Sequence, residues 1–115
     1  MSTDRVIVHE SIAEKMISSI KEIASALKAG DISIDPSCQL GPLISETSAQ
    51  RVIDALKKSQ EYGAQVILGN LTRDKAIVQP HILTGAKPGI ALWEEESFGP
   101  GMDTVHYFIY FLTML

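Results

Sequence analysis

The stretch from Glu94 to Pro100, with the sequence EEESFGP, carries the strongest chemical signal in the chain. A carboxylate can accept two hydrogen bonds from the vicinal hydroxyls of a ribose, as acidic residues do in dinucleotide sites. The ring of Phe98 could pack on a flat heterocycle, and Gly99-Pro100 predicts a tight turn beside that ring. Three adjacent carboxylates more often form a solvated turn, and the residue types alone favour that interpretation.

Other reactive side chains are few and scattered along the sequence. Cys38 is the only cysteine, so it forms no intrachain disulfide, which fits a reducing compartment. No histidine or other base is near it in sequence, so we expect a passive loop cysteine, not a nucleophile. His9, His81 and His106 are far apart and have no cysteine partners at zinc spacing, so no metal site is predicted. His9 follows an apolar run and is expected at the surface or at the start of a helix.

Composition and charge exclude several classes of protein. The chain has 115 residues, which is enough for one small domain. Its 14 acidic and 10 basic residues give a net charge of −4, without the clustered basic face that nucleic-acid binding needs. The uncharged stretch after Asp103 is shorter than the roughly 20 residues of a membrane span. No signal-peptide pattern opens the sequence, so we expect a cytoplasmic protein without membrane or nucleic-acid partners.

The first forty residues predict a strand, a helix and a loop. Residues 5–9 are a short β-branched run typical of a buried strand. Ser11 and Glu14 have the spacing of a capping box at a helix start, and Gly30 suits a left-handed helix end. Residues 31–44 contain turn signals and predict a loop. The helix should bury one apolar stripe, formed by Ile12, Met16, Ile20, Ile23 and Leu27.

The next segment predicts a second helix followed by short strands. Ser45 or Thr47 caps the helix, Gly63 ends it, and residues 65–68 form a strand. Residues 76–78 and 82–83 are short extended pieces around Pro80, which predicts a sheet edge or bend. The helix stripe consists of Ala49, Val52, Ile53 and Leu56. This order of elements predicts an α/β architecture with at least one parallel strand pair.

The last twelve residues differ in composition from the rest. Four of the chain's aromatic residues lie between Tyr107 and Phe111, and no charged residue follows Asp103. We therefore expect residues 1–103 to form one partial domain and residues 104–115 to be a divergent apolar tail. Such an uncharged aromatic segment is also typical of aggregation-prone windows.

Five segments in the same order resemble the NAD(P)-dependent aldehyde dehydrogenases. Glu95–Pro100 resembles the family's Glu-Glu-x-Phe-Gly-Pro motif, and residues 5–8 resemble the strand after its catalytic cysteine. Residues 40–45 resemble the Gly-Pro loop before the next helix, and residues 60–64 the Gly-Ala helix end. Residues 79–82 resemble its x-Pro-Thr-Ile/Val strand, with His81 in place of threonine. The loop sequence CQLGPLI is similar to the vanillin and salicylaldehyde dehydrogenase branch.

This resemblance implies a fold, a reaction and two site residues. The fold would be part of the catalytic domain, with two amphipathic helices packed on a small, mostly parallel sheet. The reaction would oxidise aldehydes to carboxylic acids with NAD or NADP, through a cysteine thiohemiacetal. Glu96 would hold the hydroxyls of the nicotinamide ribose, and Phe98 would pack against the nicotinamide.

The resemblance also implies that most of the catalytic machinery lies elsewhere. The family's nucleophilic cysteine would fall one residue before Met1, and its general base and dinucleotide-binding portion further upstream. No catalytic residue is therefore assigned within the chain, which we expect to be inactive in isolation. A catalytically inactive truncated product, or an interaction module that associates with full-length relatives, is the alternative. The family oligomerises, but its oligomerisation elements have no counterpart here, and Gly101 replaces a β-branched residue.

Overall fold

The computed structural model describes the backbone of residues 6–86, 88–89, 99–106 and 109–114. Side chains are described for residues 8–86, 88–89 and 99–100. The helices are α1 (Glu10–Ala26) and α2 (Glu46–Glu61). The strands are β1 (Val6–His9), β2 (Gln65–Leu68), β3 (Arg73–Asp74), β4 (Ile77–Val78), β5 (His81–Thr84), β6 (Gly101–His106) and β7 (Ile109–Met114).

Five of the described strands form one sheet in the order β1-β7-β6-β5-β2. Only the β5–β6 pair among them is parallel, and the other three pairs are antiparallel. The expected mostly parallel sheet is therefore wrong in its strand directions. For the β6–β7 pair, connection length explains the difference, because a parallel pair needs a crossover of about a dozen residues or more. Residues 85–100 provide one between β5 and β6, whereas β6 and β7 are separated by residues 107–108 alone.

The two helices cover opposite faces of this sheet, which confirms the α/β class. Successive residues of a strand point to opposite faces, and β5 shows the consequence. Ile82 packs in the cluster formed with α1, whereas Leu83 packs in the cluster formed with α2. All four residues of β5 are buried. The remaining strands, β3 and β4, form a small hairpin held to α2 by a hydrogen bond from Arg73 Nε to Gln50 Oε1 at 2.7 Å.

The second helix forms as its sequence predicts. Ser45 is the N-cap, and its Oγ accepts a hydrogen bond from the Ser48 backbone N–H at 3.0 Å. Gly63 follows the helix with φ +101°, a conformation that glycine adopts without steric cost. The buried side of the helix contains all four residues of the predicted stripe: Ala49, Val52, Ile53 and Leu56.

The first helix begins and ends differently from its prediction. Its N-cap is His9, whose Nδ1 accepts a hydrogen bond from the Ser11 backbone N–H at 3.2 Å. The capping box of Ser11 and Glu14 is therefore wrong, although His9 lies at a helix start as expected. The helix also stops before Gly30, because Leu27 is already extended at ψ 134°. Strand β1 runs directly into α1, so the last strand residue provides the cap.

The face that α1 buries is also rotated from the predicted stripe. Ile12 and Ile23 are 55% and 67% exposed, whereas Ala13 and Ala24 are buried. Met16 and Ile20 pack against the same cluster as these alanines. Small side chains at the contact allow the helix axis to approach the sheet closely, so alanines take the central positions. The spacing of large apolar residues alone could not show this.

We expect Ser45→Ala to lower the free energy of unfolding by about 1 kcal/mol, because one backbone N–H of α2 loses its acceptor. Thr47→Ala is the matched control, since Thr47 lies one residue inside the helix start and does not cap it. Urea unfolding followed by circular dichroism measures both changes. Equal stabilities of the two variants would contradict the assignment of the cap to Ser45.

Candidate functional site

The two predicted cofactor-binding residues, Glu96 and Phe98, lie outside the described residues. The next two residues of the motif are described and firmly placed. A Cβ atom added to Gly99 would lie 2.6 Å from Val52 Cγ2 of α2, so only glycine fits there. The Pro100 carbonyl accepts a hydrogen bond from the His81 backbone N–H at 3.0 Å. The carboxyl-terminal end of the motif is therefore held between α2 and β5.

The imidazole of His81 is buried at the start of β5, with 2% of the residue exposed. Its Nε2 accepts a hydrogen bond from the Leu71 backbone N–H at 2.9 Å. Its Nδ1 lies 2.7 Å from the Gln79 carbonyl oxygen, to which an Nδ1–H donates. Both contacts together require the neutral ring protonated on Nδ1. This histidine therefore ties the loop after β2 to strand β5.

Burial lowers the pKa of His81, because desolvation disfavours the charged imidazolium. The hydrogen bond to the Gln79 carbonyl acts in the opposite direction and is the smaller influence. Protonation of Nε2 would also remove the acceptor of the Leu71 N–H. These two hydrogen bonds thus favour the neutral imidazole, and the role of His81 is structural.

Gly69 accommodates the ring of His81, and a second glycine lies opposite His81 on the next strand. A Cβ atom on Gly69 would overlap the ring, at 2.6 Å from Cγ, and Gly69 has φ +104°. Gly101 is the register partner of His81 on the parallel strand β6. Both His81 and Gly101 depart from the residues that the resembled motifs have at these places. The larger residue on β5 therefore lies beside the smaller residue on β6.

Cys38 is buried in the loop before α2 and does not form part of a reactive cluster among the described residues. A Cβ atom on Gly30 would lie 2.6 Å from its Sγ. Gly30 thus serves close packing here, and its N–H donates to the Leu40 carbonyl at 2.9 Å. These contacts agree with the interpretation of Cys38 as a passive loop cysteine.

Asx turns and an ion pair hold the rest of this loop. Asp31 accepts hydrogen bonds from both groups of Ser33, which lower its pKa. Lys28 Nζ lies 2.5 Å from Asp35 Oδ2. This hydrogen bond, followed by those from Ser37, holds the pKa of Asp35 well below its usual range. All these groups face solvent, and their charges and hydrogen bonds are satisfied by one another. They therefore hold the shape of the loop and do not form a binding site.

A groove of about 220 Å³ lies between the end of α1, residues 68–70 and Gln79–Pro80. The Gln79 side chain crosses to Ala29, where it donates to the carbonyl at 2.9 Å and accepts from the N–H at 3.0 Å. Among the described residues, no cluster of metal-ligating side chains occurs. No described helix is long and apolar enough to cross a membrane. The groove therefore offers no charged or metal-binding chemistry.

The profile of the aldehyde dehydrogenase family matches residues 1–107. The chain belongs to the aldehyde dehydrogenase family. It is 35% identical over 100 residues to a salicylaldehyde dehydrogenase of Pseudomonas sp. strain C18, covering 87% of this chain and 20% of that enzyme. The chain thus spans about one fifth of the length of the curated relatives that it matches.

Solved aldehyde dehydrogenase structures have the same local fold. The salicylaldehyde dehydrogenase of Pseudomonas putida G7, solved with salicylaldehyde, superposes with a TM-score of 0.78 at 28% identity. It matches 85% of this chain and 20% of its own length. The glyceraldehyde-3-phosphate dehydrogenase of Methanocaldococcus jannaschii, solved with NADP, gives a TM-score of 0.78 at 33% identity. It matches 87% of this chain and 21% of its own length.

The family resemblance read from the motifs is therefore confirmed, whereas the structural role of His81 was not foreseen. Its signal in the sequence was the replacement of a threonine by a larger ionisable residue beside Pro80. That signal could indicate that a residue packed against position 81 also differs from the family motif, but it could not show which residue this is. Only the strand register shows Gly101 beside it, and only the loop conformation brings Gly69 against its ring.

The burial of His81 predicts a pH dependence of stability. The unfolded-state pKa is about 6.5 and the folded-state pKa is lower, so the unfolded state binds the extra proton. The stabilisation is fully present above about pH 6.5 and is lost as the pH falls through the folded-state pKa. The slope there is at most about 1.4 kcal/mol per pH unit.

Urea unfolding between pH 5 and 8 measures this slope. In His81→Gln we expect the slope below pH 6.5 to decrease, whereas it should persist in His9→Gln, which alters an exposed histidine. A slope retained in His81→Gln would assign the proton to another group.

Gly69→Ala should destabilise the fold by about 3 kcal/mol, combining positive-φ strain with overlap of the imidazole. Gly41→Ala is the control, because nothing lies within 4 Å of the added Cβ atom. Adding His81→Thr to Gly69→Ala removes the overlap and should recover part of the lost stability. Thermal unfolding of the wild type and the three variants gives the comparison, and an unaffected Gly69→Ala would contradict the close contact between Gly69 and the His81 ring.

Proposed function

We propose that this chain supplies the nicotinamide-ribose contacts of an NAD(P)-dependent aldehyde dehydrogenase catalytic domain. In this proposal the Glu96 carboxylate accepts hydrogen bonds from the ribose hydroxyls, and Phe98 packs against the nicotinamide end. The bound cofactor, NAD or NADP, accepts the hydride in the oxidation. The observation that carries the proposal is the anchoring of Gly99 and Pro100, which ties the motif to α2 and β5.

The anchoring supports a positioning role for the described elements. Glu96 is three residues before Gly99, so chain connectivity limits their Cα separation to roughly 11 Å. The close fit of Gly99 against Val52 therefore restricts where the carboxylate can be. Positioning matters in hydride transfer, because a displacement near 1 Å can cost about 100-fold in rate. Helix α2 and strand β5 would act as the rigid support of the cofactor loop.

The oxidation itself needs residues outside this chain. A Gly-Gln-x-Cys nucleophile motif does not occur in the 115 residues, and Cys38 is buried against Gly30 in a different loop. We therefore propose no catalytic residue here and no aldehyde oxidation by the chain alone. The aldehyde is assigned only as a class, and cytoplasmic localisation stays a proposal.

The alternative is a catalytically inactive product that associates with full-length relatives. This alternative is supported by the absence of a Gly-Gln-x-Cys motif from the 115 residues. Under either proposal, residues 1–103 derive from the catalytic domain and residues 104–115 diverge from it. The partner of the chain would then be a full-length relative, and their association would not use the family's oligomerisation elements.

A chimera tests the role of Glu96. Residues 1–103 replace the corresponding segment of the Pseudomonas salicylaldehyde dehydrogenase, and single-turnover NADH formation is measured. Glu96→Gln should slow hydride transfer by about 100-fold, whereas the neighbouring Glu94→Gln should leave the rate close to that of the chimera. The chain alone should form no NADH above a protein-free blank.

The outcomes separate the proposals. Equal rates for Glu96→Gln and Glu94→Gln would remove Glu96 from the cofactor site. Aldehyde-dependent NADH formation by the chain alone, lost in Cys38→Ala, would overturn the assignment of the nucleophile to a segment outside it. Co-purification of the tagged chain with the intact salicylaldehyde dehydrogenase would favour the associating product.

A further inference from the structure

Leu71 has a strained backbone conformation that depends on the buried imidazole of His81. Its φ is 55°, in the left-handed region that a leucine rarely adopts because its Cβ approaches the following carbonyl oxygen. Its N–H donates to His81 Nε2 at 2.9 Å, and its side chain packs against the core cluster formed with α2. These contacts therefore hold a conformation that the backbone of a leucine does not favour by itself.

A proton on His81 Nε2 would remove the acceptor of the Leu71 N–H. The Nδ1–H already donates to the Gln79 carbonyl at 2.7 Å, so Nε2 is the acceptor nitrogen of the neutral ring. The protonated Nε2 becomes a donor, and two N–H groups then face each other. The ring has little room to turn away, because a Cβ atom on Gly69 would lie 2.6 Å from its Cγ and 2.8 Å from its Nε2.

The loop of residues 69–72 can move more readily than the strand that carries the ring. Strand β5 pairs with β2 on one side and β6 on the other, and the His81 N–H donates to the Pro100 carbonyl. By contrast, Gly69 and Asn70 are exposed and line the groove between the end of α1 and Pro80. Solvent-exposed segments with few buried contacts open locally at low free energy. We therefore expect the loop, and not the strand, to respond to the proton.

The charged residues of the elements around His81 do not take over this control. Every charged residue of α1 and α2 is exposed. The side chain of Arg73, which follows the loop, is bound by Gln50 of α2, and Asp103 of β6 is in register with Leu83 instead of His81. Burial lowers the pKa of His81, and the Gln79 carbonyl raises it by a smaller amount. The other charged or titratable residues of the hairpin and β6 are Asp74, Lys75 and His106.

We propose that His81 is a pH switch that releases residues 69–72 locally while the rest of the fold stays intact. A proton from solvent binds Nε2, the hydrogen bond from the Leu71 N–H breaks, and the strained backbone of Leu71 relaxes. The neutral imidazole holds the loop closed, and the imidazolium lets it open. Opening moves one wall of the groove beside the end of α1. This inference does not depend on the cofactor site.

Native-state hydrogen exchange of the full chain between pH 5 and 7, resolved by NMR, tests the switch. Protection factors are compared, because they remove the intrinsic pH dependence of amide exchange. Opening that takes up one proton should lower the protection factor of the Leu71 amide about tenfold per pH unit below about pH 6.5. The control within the chain is the Leu43 amide, which donates to the Ala76 carbonyl at 2.8 Å. That acceptor does not titrate, so local exchange of Leu43 should show no such slope.

Low concentrations of urea distinguish local opening of the loop from global unfolding. The effect of urea on an opening reaction scales with the surface that the reaction exposes. Exchange of the Leu71 amide should therefore depend little on urea, whereas exchange of the Leu56 amide, in the buried part of α2, should accelerate with it. A Leu71 amide with the same urea dependence as Leu56 would overturn the proposal, because the loop would then open only with the whole fold.

Two histidine variants assign the proton to its site. His81→Gln should abolish the pH dependence of the Leu71 protection factor, whereas His9→Gln, at an exposed position, should retain it. A slope that persists in His81→Gln would overturn the proposal. If His81→Gln does not fold, the wild type decides the question by itself, and a Leu71 protection factor that does not change between pH 5 and 7 would overturn the switch.

Discussion

The loop after β2 and the start of β5 depend on satisfying one buried imidazole. The ring of His81 has left water, so each of its nitrogens needs a partner inside the protein. The Gln79 carbonyl and the Leu71 N–H are those partners. Meeting both restricts the loop after β2 to one conformation, in which Leu71 has φ 55° and Gly69 has φ 104°. The direction from which the chain enters β5 follows from this arrangement.

The same residue joins the fold to the cofactor motif. The His81 N–H binds the Pro100 carbonyl, and β6 begins with the next residue. Gly99 packs on Val52 of α2, whose helix also buries Leu83 of β5. The end of the motif therefore rests against buried residues of α2 and β5. This arrangement fits a site in which the described residues position the cofactor motif and residues elsewhere carry out the reaction.

The sheet combines elements of two kinds. The β5–β6 pair is parallel and is joined by a long crossover, as in larger α/β domains. Strands β6 and β7 form an antiparallel hairpin whose second strand also pairs with β1. A chain that spans one fifth of its relatives' length thus has a sheet with helices on both faces. Strand β7 lies beyond the residues that the family profile matches.

The sequence by itself determined the features that depend on neighbouring residues. The buried face and end of α2 follow from the stripe at helical spacing and Gly63, and its start was narrowed to Ser45 or Thr47, because caps and stripes act within a few residues. Family membership was also readable, because the order and spacing of short motifs do not depend on packing. Strand β2 was predicted with its bounds for the same local reasons.

Tertiary structure alone decided the features that depend on distant partners. The bounds and buried face of α1 depend on how closely the sheet approaches, so alanines replaced Ile12 and Ile23 at the contact. Strand directions depend on connection lengths and on which strands meet, neither of which the predicted elements specified. The neutral state and burial of His81 required Gly69 and Leu71, which come from another segment of the chain. A pattern within one segment cannot show such partners, because long-range pairing is selected by the packing of the whole domain.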